Sequence, residues 1–251
     1  MTIDNRGELV VLPTPAALAD EAARRFVELA EAAIQRNGRF AVALSGGSTP
    51  RALHQRLAQP LPGTAVDWGK IVVFWGDERF VPPDSEESCF RMARETLLDY
   101  VQIPAANIFP VPTVGGTPES AASAYAETLV AQFGSQAPRF DLILLGIGPD
   151  GHTASLFPGH PEPSAPGDRL VVAVHNAPKP PPTRISCTYR VLNGAEHVLF
   201  LVAGSDKAAA LHEILRGPLA IGRLPAQGVR PERGKLVWLV DQAAAAQLSE
   251  A

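Results

Sequence analysis

Apolar residues along this chain alternate between two patterns. Short unbroken apolar runs, of the kind made by strands buried on both faces, recur at Phe40–Leu44, Ile71–Trp75, Leu142–Leu145, Val198–Ala203 and Leu236–Val240. Between them apolar residues return at helical spacing. Leu18, Ala22, Phe26, Leu29 and Ala33 form one such face, and Phe90, Ala93, Leu97 and Leu98 another. Thr14-Pro15 supplies an N-cap and a proline at the first helical position, and Gly38 stops that helix. Further helices are predicted to begin near Arg51, to span Ser88 to Tyr100 and Glu119 to Phe133, to run from Gly204-Ser205-Asp206-Lys207 through Leu215, and to close the chain in an alanine-rich segment. Glu8 to Leu12 reads as an edge strand. Leu170–His175 and Arg184–Tyr189 read as two more strands, joined by a proline-rich loop. Strands alternating with helices predict an α/β fold with a mainly parallel sheet covered on both faces, in one domain over residues 1–251. No internal repeat or low-complexity linker interrupts it.

Composition narrows the function. A formal charge of -4 with no long basic run excludes a nucleic-acid footprint, which needs clustered Lys and Arg for phosphates. Only Cys89 and Cys187 are present, too far apart for a zinc knuckle or a disulfide framework, and both are expected to be free buried thiols. The chain has neither a basic-then-apolar leader nor an apolar run of membrane-spanning length. A soluble, cytoplasmic protein without membrane partners is expected, and a monomer is preferred.

The polar motifs follow strands, which in open α/β sheets places them at the ligand-binding edge. Gly146-Ile147-Gly148-Pro149-Asp150-Gly151 matches a dinucleotide fingerprint, but that fingerprint needs a helix opening at its last glycine. Pro158, Pro161 and Pro163 break the chain instead, and Asp150 stands where an anion would sit. The turn is better read as presenting Asp150 and His152. An imidazole can take a proton from water near neutral pH, and a carboxylate neighbour fixes which nitrogen does so. Ser45, Gly46, Gly47, Ser48 and Thr49 combine small side chains with a helix N-terminus, an anion cradle without the Lys of a Walker loop. Arg184 and Lys207 are the candidate cations to complete it. In Asp77-Glu78-Arg79, Arg79 is suited to neutralise developing negative charge and Asp77 to position it or substrate hydroxyls. His54, His160, His175, His197 and His212 are taken as structural. No third ligand at a recognisable spacing joins Asp150 and His152 to make a metal site, and no G-x-S-x-G elbow makes Ser155 a nucleophile.

Taken together, Ala43–Pro50 (ALSGGSTP), Trp75–Arg79 (WGDER), Leu145–Pro158 (LGIGPDGHTASLFP) and the Arg184 and Lys207 segments resemble the 6-phosphogluconolactonase family, in order and across most of the chain. The resemblance implies a Rossmann-like three-layer α/β/α sandwich shared with glucosamine-6-phosphate deaminase. It implies hydrolysis of a small sugar-phosphate lactone, 6-phosphoglucono-δ-lactone, in the oxidative pentose phosphate pathway, without metal, nucleotide or other cofactor. On that basis Ser45–Thr49, Arg184 and Lys207 hold the phosphate, His152 activates water, Arg79 stabilises the oxyanion and Asp150 orients the imidazole or a hydroxyl. The alternative is the deaminase. Deaminases carry a Glu where Phe157 stands and an aromatic residue where Arg79 stands. A sugar-phosphate sensor is a third reading, but it would need a partner-binding module for which few residues precede the first helix.

Overall fold

The computed structural model describes residues 2–3, 6–60, 66–135, 137–160 and 169–248. In chain order its strands are β1 (Thr2–Ile3), β2 (Gly7–Leu12), β3 (Phe40–Leu44), β4 (Ile71–Trp75), β5 (Asp77–Arg79), β6 (Leu142–Leu145), β7 (Val171–Val174), β8 (Arg184–Cys187), β9 (His197–Val202) and β10 (Lys235–Asp241). Its α-helices are α1 (Pro15–Asn37), α2 (Ser48–Leu57), α3 (Cys89–Thr96), α4 (Pro118–Phe133), α5 (Tyr189–Leu192) and α6 (Ala208–Arg216).

Seven strands make one sheet in the order β1-β2-β10-β9-β6-β3-β4. All neighbours are parallel except β1 and β2, so Glu8–Leu12 lies one strand in from the edge. Every residue of β3, β4 and β6 is buried, which is why these strands read as unbroken apolar runs. Aromatic pairs knit the layers: Phe26 of α1 meets Phe40 edge-on at 5.3 Å, and Phe200 stacks on Trp238 at 3.9 Å. Thr14 caps α1 by accepting from the Ala17 N–H, and Gly38 ends it with φ 76°, the left-handed conformation glycine tolerates best. From β3 the chain goes outward to β4, then returns to β6 on the other side of β3. The strand order reverses between β3 and β6, and a crevice opens beyond their C-terminal ends.

Three expectations change. Leu170–His175 and Arg184–Tyr189 are strands over shorter spans, but they do not join the parallel sheet. They form a separate antiparallel sheet in the order β5-β8-β7. The connection between β7 and β8 has no helix in it, and a parallel return requires a longer crossover. Second, the alanine-rich segment 242–248 forms turns rather than a helix. It is too short to recover the cost of helix nucleation, and Asp241 holds its start by accepting from the Ala244 N–H. Third, the helix from Ser88 stops at Thr96, and Leu98–Tyr100 makes one 3-10 turn. Pro161 and Pro163 lie outside the described residues, but no helix opens at Gly151 within 151–160.

Candidate active site

Loops after β3, β4, β6 and β9 converge over the crevice and, with the segment before β8, enclose a cavity of about 280 Å³. Ser45 to Thr49, Asp77, Arg79, His152, Arg184 and Lys207 all line it. Asp150 lies just behind, against His152.

The histidine turn owes its shape to its glycines. Gly148 N–H donates to His152 O, and Gly151 turns the chain with φ 81°. A side chain at Gly148 would collide with both the His152 ring and the Asp150 carboxylate. The glycine therefore makes room for the pair to fold back, a different task from admitting a pyrophosphate. His152 Nδ1 lies 2.5 Å from Asp150 Oδ1. An ionised carboxylate accepts only, so in this contact Nδ1 is the donor, and a neutral ring then carries its lone pair on Nε2. Burial pushes the Asp150 carboxyl up, but the hydrogen bond with His152 and the charges of His152 and Lys179 prevail and hold it down at about 2. Phe157, fully buried, packs its ring 4.6 Å from the His152 ring.

Strand alternation explains the Asp77-Glu78-Arg79 triplet. Residues two apart share a face, so Asp77 and Arg79 look into the cavity while Glu78 turns the other way. Asp77 accepts from Ser155 Oγ at 2.6 Å, which ties β5 to the histidine turn. Arg79 Nη1 donates to Glu87 O at 2.6 Å, and its buried Nε has no partner among the described residues. Burial penalises the Arg79 charge, but Cys89, Asp77, Glu78 and Glu87 more than offset that and raise its pKa. Arg184 stands directly opposite Arg79 across β5 and β8. Its pKa is lowered, by burial first and by Arg79 as a like charge, against the opposing pull of Asp77. Like charges on paired strand positions are unfavourable unless an anion offsets them, and both arginines line the cavity.

The β3 loop ends in α2, whose N-terminus carries no side-chain cap and no acidic residue in its first turn. Its leading N–H groups and dipole are therefore free to hold an anion. The helix starts at Ser48, earlier than the Arg51 expected, so Ser48 and Thr49 belong to its first turn. Gly46 lies against Cys89 Sγ, where a side chain would collide. Lys207 closes a 3-10 turn, Ser205–Lys207, after β9 and pairs with Asp206 at 2.7 Å. Asp241 steadies that turn by accepting from the Gly204 N–H.

Arg184 is the one candidate that does not follow a strand; it begins β8. Its Nε donates to Pro181 O at 3.1 Å and its Nη2 to Lys179 O and Pro180 O, while its head lies 5.5 Å over the Phe157 ring. Much of this guanidinium is spent on holding the proline-rich segment.

Three residues at the site escaped the sequence reading. Lys179 lines the cavity with Nζ 4.0 Å from Asp150 Oδ1; a cation among prolines carries no periodic signal. Glu78 is 2% exposed and accepts from the Arg79, Cys89 and Phe90 N–H groups and Ser88 Oγ. Burial raises its pKa against the pull of those hydrogen bonds. It thus pins the N-terminus of α3 beneath Arg79. Cys89, a buried free thiol as expected, also lines the cavity. Cys187 is the other free buried thiol. Among the described residues no group of three or more His, Cys, Asp or Glu is arranged to hold a metal ion.

The sequence pattern of a family described as glucosamine-6-phosphate isomerases/6-phosphogluconolactonase matches residues 13–238. A 6-phosphogluconolactonase from Nostoc sp. is 42% identical over 243 residues, covering 95% of this chain and 97% of the relative. One from Synechocystis sp. is 45% identical over 219 residues, covering 86% and 88%. The solved 6-phosphogluconolactonase from Trypanosoma cruzi superposes with a TM-score of 0.84 at 28% identity, covering 99% of this chain and 98% of that one. Motif order, sheet topology and these likenesses agree, and the chain belongs to the glucosamine-6-phosphate isomerase/6-phosphogluconolactonase family.

Proposed function

We propose that this protein hydrolyses 6-phosphoglucono-δ-lactone to 6-phosphogluconate, the first hydrolytic step of the oxidative pentose phosphate pathway, acting as one domain in the cytoplasm. The observation that carries the reading is the Asp150–His152 pair opening onto a cavity that Arg79, Arg184, Lys207 and an uncapped helix N-terminus all line. Among the described residues no helix is long and apolar enough to cross a membrane.

In this mechanism the phosphate sits on the Ser45–Thr49 loop with Lys207 and the remaining donors of Arg184. The lactone carbonyl then lies near His152. Nε2 takes a proton from water as the oxygen attacks the carbonyl carbon, and Asp150 stabilises the imidazolium that forms. Arg79 balances the negative charge on the tetrahedral oxyanion. Collapse breaks the ring C–O bond, and the departing oxygen takes the proton back from His152, leaving a free hydroxyl and a carboxylic acid that gives up water's second proton to solvent to become the carboxylate. General-base assistance of this kind contributes roughly 10²–10⁴-fold, enough for an ester that is already reactive.

Phe157 weighs against the deaminase alternative. Where that enzyme requires a carboxylate for acid/base work on an open chain, this site has a fully buried ring wedged between His152 and Arg184. The test is to offer the purified protein 6-phosphogluconolactone and glucosamine-6-phosphate separately, following acid release and ammonia release. Acid release alone is expected; ammonia release without lactone hydrolysis overturns the proposal.

A further inference from the structure

We propose that Lys179 is a positioning residue that sets how tightly His152 holds a proton, by sharing one carboxylate oxygen of Asp150 with it. His152 Nδ1 and Lys179 Nζ approach the same atom, Asp150 Oδ1, at 2.5 Å and 4.0 Å. Nor is Lys179 placed like an ordinary surface lysine. Its own carbonyl and those of Pro180 and Pro181 accept from Arg184, and Arg184 lies over the Phe157 ring, which also packs against His152. The ammonium is thereby carried on a segment anchored to the histidine turn itself.

The physical consequence follows from charge. A carboxylate bonded to an imidazole alone stabilises the imidazolium and would hold the base in its spent form. A second cation on the same oxygen takes up part of the negative potential, so His152 stays neutral, and useful as a base, to lower pH. Among the described residues, other charged or titratable groups near this pair are Arg184 behind Phe157, Asp77 and Arg79 from β5 and Lys207 after β9 at the cavity wall, His160 beyond Phe157, and Asp206, which also feels the Lys179 charge. Both His152 and Lys179 pair with Asp150 through the same oxygen.

The inference rests on the proposed function only in taking His152 as the base, and its test does not need turnover. The titration midpoint of His152 is followed by NMR on its imidazole proton, identified by its loss in His152→Asn, in the native protein, Lys179→Met and Lys179→Arg. The pH dependence of kcat/KM for 6-phosphogluconolactone is measured alongside. Lys179→Met is expected to raise the midpoint by about half a pH unit to one unit, the size expected of one charge acting across several ångströms at a half-exposed site. The acid limb of kcat/KM should move up with it, and Lys179→Arg should restore both. An unmoved midpoint in Lys179→Met overturns the inference, whether activity falls evenly at all pH, as for an ammonium that touches substrate, or does not fall. A raised midpoint in a protein inactive on the lactone upholds the coupling and removes the function.

Discussion

Replacing Asp150 by Asn tests the centre of the mechanism with little change of volume. The carboxylate is held down from an ordinary 3.8 to about 2, with His152 the main partner acting against burial. At roughly 1.4 kcal/mol per pH unit this is about 2 kcal/mol of preference for the charged form. The side chain is 32% exposed, so screening by water reduces the usable part to about 1–2 kcal/mol. That interaction grows as the proton moves onto His152, so its loss falls on the transition state. A decrease in kcat of about five- to thirty-fold is expected. Affinity for 6-phosphogluconate, which depends on the phosphate loop, should stay within about two-fold if the pair does not bind the phosphate. Stopped-flow acid release with calorimetric product binding separates the two quantities. A variant with native kcat, or one whose loss lies wholly in product affinity, refutes the reasoning.

Arg79→Met removes the group assigned to the oxyanion and should lower kcat by about 10²–10³-fold, read in the same assay; a change confined to KM would reassign Arg79 to binding. Gly46→Ala places a methyl against Cys89 Sγ and should weaken phosphate-dependent binding. Pairing it with Cys89→Gly should recover part of the loss, and no recovery in product binding would show that this contact is not the cause. His54 is fully buried, its Nδ1 meets Thr96 Oγ1 at 3.3 Å, its Nε2 has no partner among the described residues, and burial with some help from Arg51 lowers its pKa to about 4. Since the folded value lies below the unfolded one, its contribution is fully present above about pH 6.5 and is lost as pH falls through about 4, at a cost of about 3 kcal/mol. Urea midpoints measured down this range should therefore fall more steeply in the native protein than in His54→Leu; parallel curves would remove His54 from the account.

Much of the site was legible because its residues sit where chemistry and local backbone coincide. Ser45–Thr49 declares itself by small residues between a buried strand and a helix, and Asp150–His152 by a polar pair in a glycine turn after a strand. What could not be read was partnership at a distance. Arg184 looked like a free cation, yet most of its donors serve backbone carbonyls of the preceding segment. Glu78 drew no role of its own between Asp77 and Arg79, yet it is buried under the N-terminus of α3. Lys179 drew no attention, because nothing in a proline-rich loop tells which carboxylate will stand across from it.

The sequence by itself determined the class of fold, most of the alternation of strands and helices, the place of the polar motifs after strands, and the family. All of these depend on periodicity, on turn residues and on motif order, which are local properties of the chain. Only the tertiary structure decided that β5, β7 and β8 leave the parallel sheet to build their own, and that this second sheet sets Arg79 opposite Arg184. Only it showed Phe157 wedged between His152 and Arg184, and Asp150 shared between two cations. Strand pairing and charge pairing join residues far apart in the chain, and their energies depend on burial and distance, which exist only once the chain has folded.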